Sequence, residues 1–113
     1  MVSVIRLKLA FLTLFCIAAH AQTAANQTAI NAGKQRAAVC FACHNQSGIA
    51  IIPGVPNLAG QKRDYLENAL RAYRDGETRR NPIMNAMAQP LSDADVSNIS
   101  AYYGSLPLQT VVR

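Results

Sequence analysis

Cys40-Phe41-Ala42-Cys43-His44 is the stretch on which the reading of this chain turns. Two thiols separated by two residues, with an imidazole directly after the second, is the spacing for covalent attachment of a c-type haem. Each thiol adds to one vinyl group of the porphyrin, so both thioether bonds form along one edge of the ring. The chain between them then makes a tight, helix-like turn, and the next side chain, His44, is set to supply an axial imidazole nitrogen. Cys-x-x-Cys also occurs in zinc sites and in thioredoxin-like redox sites. A structural zinc site needs four ligands, commonly from two separated pairs, and outside residues 1–21 there is no other cysteine or histidine. A thioredoxin-like site needs a βαβ setting, whereas the flanking residues favour helix. A disulfide across two residues gives no reason for the histidine. One covalently bound haem c per chain is the reading, held by Cys40 and Cys43.

Upstream, residues 1–21 have the pattern of an export signal: Arg6 and Lys8 at the start, an apolar run from Leu9 to Ala19, and Ala19-His20-Ala21 as a small-x-small cleavage site. The run is too short for a membrane span, and bulky Phe15 before Cys16 argues against a lipoprotein leader. The expected mature chain starts at Gln22 and is periplasmic, where c-type haem is attached after export. Residues 22–113 suffice for one small domain, in which a large apolar cofactor would form much of the core. They carry nine Lys and Arg against six Asp and Glu. This mild excess suits an acidic patch on a protein partner and is too diffuse for nucleic acid. A loose association with a membrane surface stays open.

The mature chain reads as all-α, with about three main helices and two long loops around one haem, and with no strand. Gln22 to Gln27 is expected to fray, and a helix is expected from Thr28, as N-cap, to Val39. Asn45 to Gly60 reads as a loop with Gly48, Pro53, Gly54, Pro56 and Gly60. Its Ile49, Ile51, Ile52, Val55 and Leu58 would line the haem or complete the core. Gln61 to Asp75 is a second helix, with Leu66, Leu70 and Tyr73 on one face, Glu67–Arg71 and Arg71–Asp75 as ion pairs, and Gly76 as its stop. Glu77 to Pro90 reads as irregular. Ser92-Asp93-Ala94-Asp95 opens the last helix in the manner of a capping box, with Val96, Ile99, Tyr102, Tyr103 and Leu106 apolar and Gly104 and Pro107 as its end.

With the leader removed, no second histidine is left for the opposite axial position. A thioether is the best remaining donor, and it raises the reduction potential. Met84 and Met87 are the candidates, and spacing alone does not choose between them.

In combination these residues resemble the class I c-type cytochromes, and most closely one half of the dihaem cytochromes of the c4 type. The motifs are Ala38-Val39 with the haem stretch, Val55-Pro56-Asn57-Leu58-Ala59-Gly60-Gln61, Tyr65-Leu66, Tyr73-Arg74-Asp75-Gly76, Met84, Leu91-Ser92-Asp93-Ala94-Asp95 and Ala101-Tyr102-Tyr103. The likeness covers about residues 29–106. It implies an electron carrier in which the first and last helices cross where Gly33 meets Tyr102. It further implies that the Pro56 carbonyl accepts the Nδ1 hydrogen of His44, and that Met84 rather than Met87 is the second axial ligand. The chain departs from the c4 pattern in having one haem motif where that type has two. Expected partners are redox proteins, a donor dehydrogenase or cytochrome complex and an acceptor oxidase or reductase, met as a free shuttle or as a bound subunit. An open-site haem enzyme or gas sensor is the other class. Arg79 and Arg80 have no imidazole beside them to support it.

Overall fold

The computed structural model describes residues 21–108, and the features read in residues 1–20, most of the leader with Cys16 and His20, lie outside them. Residues 21–36 form the first helix, α1. A 3-10 turn, Ala37–Cys40, leads directly into the short helix α2, Phe41–His44. After the loop follow α3 (Arg63–Arg74), α4 (Pro82–Ala88) and α5 (Asp93–Ser105). Among the described residues there is no strand. The all-α reading holds.

Two local expectations change. Residues 22–27 are helical, and Thr28 sits inside α1, its hydroxyl donating to the Ala24 carbonyl at 3.0 Å. The alanines of that stretch favour helix strongly enough to carry it upstream of the expected cap. Residues 82–88, read as irregular, are α4. Asn81 caps that helix by accepting from the Met84 N–H, and Pro82 stands in the first turn, where no N–H is needed.

The helix α5 organises the core. Ser92 accepts from the Asp95 N–H and Asp95 from the Ser92 N–H, which completes the reciprocal cap. Val96, Ile99, Tyr102 and Tyr103 are buried on α5 and pack with Leu66 of α3, Ala37 and Leu91. Each large side chain removed from water here contributes about 1.5–3 kcal/mol. Gly104 lies within α5 and does not end it. A Cβ there would stand 3.1 Å from the Gln61 carbonyl, so the residue serves a close approach.

The crossing of α1 and α5 requires the absence of a side chain at Gly33. A Cβ there would overlap the Asn98 carbonyl and approach Tyr102 Cβ to 3.0 Å. Around the crossing, Arg36 pairs with Asp95 at 3.3 Å. Arg63, Glu67 and Ser97 tie α3 to α5, and Glu67 pairs with Arg71 as expected. Arg71 and Asp75 do not form the expected pair. The Asp75 carboxylate instead takes the N–H groups of Glu77 and Thr78 and the Thr78 hydroxyl, which folds the chain back at Gly76. These bonds hold the Asp75 carboxyl below its ordinary range. The Arg74 guanidinium does the same for Asp93 at 2.7 Å. Because both are depressed in the fold, their stabilising effect is present above the unfolded carboxyl range and is lost as pH falls through the folded values.

Two alanine substitutions separate contact from conformation. Gly33→Ala should lower stability by about 3 kcal/mol or more, since backbone must move to make room. Gly76→Ala meets open space and pays only for its left-handed backbone, φ +74°, about 1–2 kcal/mol. Chemical denaturation of the two variants measures the difference. Equal losses would show that the helices separate freely at Gly33.

Candidate functional site: a thiol pair, an imidazole and a carbonyl

The turn Ala37–Cys40 and α2 bring the two thiols onto one short helical run, and neither is in a disulfide. Cys43 is exposed and Cys40 half-buried. Burial pushes the Cys40 thiol up, with the Arg36 guanidinium working against it. His44 is buried at 7% exposure, and its Nδ1 lies 2.9 Å from the Pro56 carbonyl oxygen. A carbonyl oxygen only accepts, so Nδ1 carries the proton and Nε2 keeps its lone pair. That is the tautomer an axial imidazole needs.

The chain turns sharply after His44. Asn45 has φ 59° and ψ 159°, the one non-glycine residue at positive φ among those described. Several bonds hold it there. Its N–H donates to Phe41, its carbonyl accepts from Gly48 N–H, and its side-chain amide donates to the Ile49 carbonyl at 2.5 Å. From α5, Tyr103 donates to the Asn45 carbonyl at 3.3 Å and Tyr102 to the Gln46 carbonyl at 2.5 Å. Burial first, then Cys40 and Tyr102, push the Tyr103 phenol far above its ordinary value, so it stays a donor. Further on, Leu58 and Ala59 donate to the Gly48 carbonyl and Gly60 to that of Tyr103, closing the loop. The Pro56 carbonyl is thereby held at the Nδ1 edge of the His44 ring.

Of the residues singled out in the sequence, Cys40, Cys43, His44 and Pro56 come together. Met84 and Met87 lie one turn apart on α4, both half-buried. The apolar residues of the loop divide. Leu58 packs against the core, whereas Ile51 is 83% exposed and Ile52 is exposed as well. Ile83 of α4 is 69% exposed. The two tyrosine hydroxyls and the strain at Asn45 were not foreseen. The known tolerance of asparagine for positive φ is the one signal that could have marked the turn.

These residues fit a covalently held haem. Both thiols are unpaired, the adjacent imidazole has its outer nitrogen free, and the flanking loop and α4 carry isoleucines facing outward. Among the described residues no three His, Cys, Asp or Glu side chains gather as a metal cage. A polar depression lined by Gln22, Asn26 and Arg63 holds none of the chemistry.

The sequence profile of the cytochrome c family, "Cytochrome c", matches residues 30–107. The chain belongs to that family. It is similar to cytochrome c-554(548) of Halomonas halodenitrificans, 45% identical over 76 residues, which are 66% of this chain and 92% of that one. It is 42% identical over 76 residues to a thiosulfate dehydrogenase electron acceptor of Thiomonas intermedia, covering 66% of this chain and 35% of the relative. A solved cytochrome c4 from Acidithiobacillus ferrooxidans superposes with a TM-score of 0.56 at 34% identity, over 59% of this chain and 38% of that one. The chain thus spans nearly all of one relative and little more than a third of the other two. It is a class I c-type cytochrome with a single haem c on the Cys40–Cys43–His44 motif, an electron carrier and not a catalytic enzyme.

The turn after His44 gives a paired test. Asn45→Gly and Asn45→Ala delete the same side-chain hydrogen bond, but only alanine strains at positive φ. The cytochrome with alanine should be less stable than that with glycine by about 1–2 kcal/mol in denaturant unfolding. Equal stabilities would show that the turn relaxes once the side chain is gone.

Proposed function

We propose that this cytochrome is an exported, periplasmic carrier whose haem is held between His44 and Met84, and that it passes electrons between redox proteins. The observation that carries the reading is the His44 Nδ1 to Pro56 carbonyl bond of 2.9 Å, directly after two unpaired thiols. The export pattern of residues 1–21 and the periplasmic site of haem c attachment support the location.

When bound, the haem supplies a one-electron ferric–ferrous couple. The chain's residues do the rest. Cys40 and Cys43 hold the group through thioether bonds, so it cannot dissociate. Pro56 fixes the rotation of His44, and the clamp from Tyr102 and Tyr103 fixes the turn behind it. The Met84 thioether, a soft donor, raises the potential relative to a second imidazole. Ligands that stay in place on both sides of the transfer keep reorganisation small.

Partner recognition follows from the surface. Arg36, Arg63, Arg71, Arg74 and Arg80 each pair with a carboxylate, and Arg79 lies over the Tyr73 ring at 4.8 Å. The exposed Ile51, Ile52 and Ile83 add an apolar part to the docking surface beside the mild positive excess of residues 22–113. One relative is described as an electron acceptor for thiosulfate dehydrogenase; a dehydrogenase of that kind is the donor class we favour. Arg79 and Arg80, engaged with Tyr73 and Glu77, are not set as a peroxide-cleaving group.

Single substitutions test the ligand. Met84→Ala should remove the weak sulfur-to-iron charge-transfer band of the ferric protein, lower the potential and let the ferrous protein bind carbon monoxide. Met87→Ala should keep the band and lose only packing, up to about 2–5 kcal/mol for a fully buried methionine and less for this half-buried one. The reverse pattern would move the ligand to Met87. A band that survives in both variants would end the methionine assignment.

A further inference from the structure

The helix α4 has seven residues, too few to persist on its own. Its position must be imposed by its surroundings: Ala88 is buried in the core at its end, and one polar side chain ties down its start. Asn85 Nδ2 donates to the Tyr73 carbonyl at 2.6 Å and to the Arg79 carbonyl at 2.8 Å. Asn85 Oδ1 accepts from the Asn81 N–H at 2.9 Å. Asn81 Oδ1 in turn accepts from the Met84 N–H at 3.0 Å. One amide therefore uses both of its hydrogens and its oxygen to join three pieces of chain: the last turn of α3, the segment after Gly76 and the start of α4.

The chain of bonds ends on Met84 itself. Its N–H is fixed by Asn81, and the Asn81 N–H is fixed by Asn85. Asn85 also carries this cap across to α3, which packs on α5 and so belongs to the rigid core. Only an amide serves here. A carboxylate would set negative oxygen against two carbonyl oxygens, and an aliphatic side chain would take the Asn85 donor from the part-buried Arg79 carbonyl and leave the Tyr73 carbonyl only its backbone N–H partners.

We propose that Asn85 is the positioning residue for the sixth ligand, locking the start of α4 to the end of α3 so that Met84 is presented in a single orientation. The proposal rests on Met84 being the ligand. Without the lock, α4 and its thioether detach more often while the rest of the fold stays in place.

The test uses the haem-loaded, full-length protein. Asn85→Ala and the near-isosteric Asn85→Asp are compared with wild type, Met84→Ala and Ser97→Ala. The last removes hydrogen bonds between α3 and α5 away from α4. Two readouts are followed: the rate of carbon monoxide binding to the ferrous protein, and the temperature at which the sulfur-to-iron band of the ferric protein disappears, set against the melting of the helices by circular dichroism. Loss of one to two hydrogen bonds should speed carbon monoxide binding in the Asn85 variants by about tenfold or more. Their band should also vanish well below the temperature at which the helices melt, whereas in Ser97→Ala band and helices should be lost together. If Asn85→Ala yields no holoprotein, Asn85→Asp reports the same two quantities. Asn85 variants that behave like Ser97→Ala, beside a Met84→Ala that has lost its band, overturn the positioning role alone. A wild-type band in Met84→Ala overturns the ligand assignment and the proposal with it.

Discussion

At Gly33 the backbones of α1 and α5 touch, with the Asn98 carbonyl occupying the space a side chain would fill. Much of the structure depends on that contact. α1 leads without interruption into the turn and helix that carry both thiols and His44, so the crossing decides where the ligand-bearing segment leaves the core. From the same helix α5, Tyr102 and Tyr103 reach the carbonyls of Gln46 and Asn45. The crossing therefore sets one end of the segment, and the hydroxyls set the other. His44 lies between two points fixed on one rigid helix.

That arrangement suits the task of an electron carrier. Transfer is fast when the ligands need not move between oxidation states, and a side chain on a free loop would move. Here, loop 45–60 is long but closed on itself through the Gly48 carbonyl and tied to α5 through Gly60 and Tyr103. The His44 ring is held from behind by Pro56 and its turn by Asn45, at a backbone conformation that only a dense set of hydrogen bonds would maintain. The segment that carries Met84 is built differently: α4 is short, and it is held by the buried Ala88 and by the Asn85 amide.

Much of this was legible in the residues. The haem stretch identified the cofactor because thiol spacing and the following histidine are dictated by the geometry of the porphyrin itself. The capping box at Ser92, the apolar faces of α3 and α5 and the stop at Gly76 follow from local rules that the tertiary fold leaves intact. The pairing of Gly33 with Tyr102 and the bond from His44 to Pro56 came through family resemblance. α4 was missed although Asn81 and Pro82 mark its start locally. Its tie through Asn85 to the Tyr73 carbonyl is supplied by α3, and no pattern within residues 77–90 reveals that. The Asp75 carboxylate is a local case: the turn at Gly76 brings the Glu77 and Thr78 N–H groups to it, and they displace Arg71 as its partners.

The central claim is that Cys40, Cys43 and His44 hold one haem covalently in an exported chain. Intact-mass spectrometry under denaturing conditions tests it most directly, on protein produced in a host that attaches haem c. A single species is expected, the polypeptide beginning at Gln22 plus one haem, with loss of the added mass when Cys40 and Cys43 are both replaced by alanine. A bare polypeptide, or haem that separates from the chain on denaturation, would contradict it.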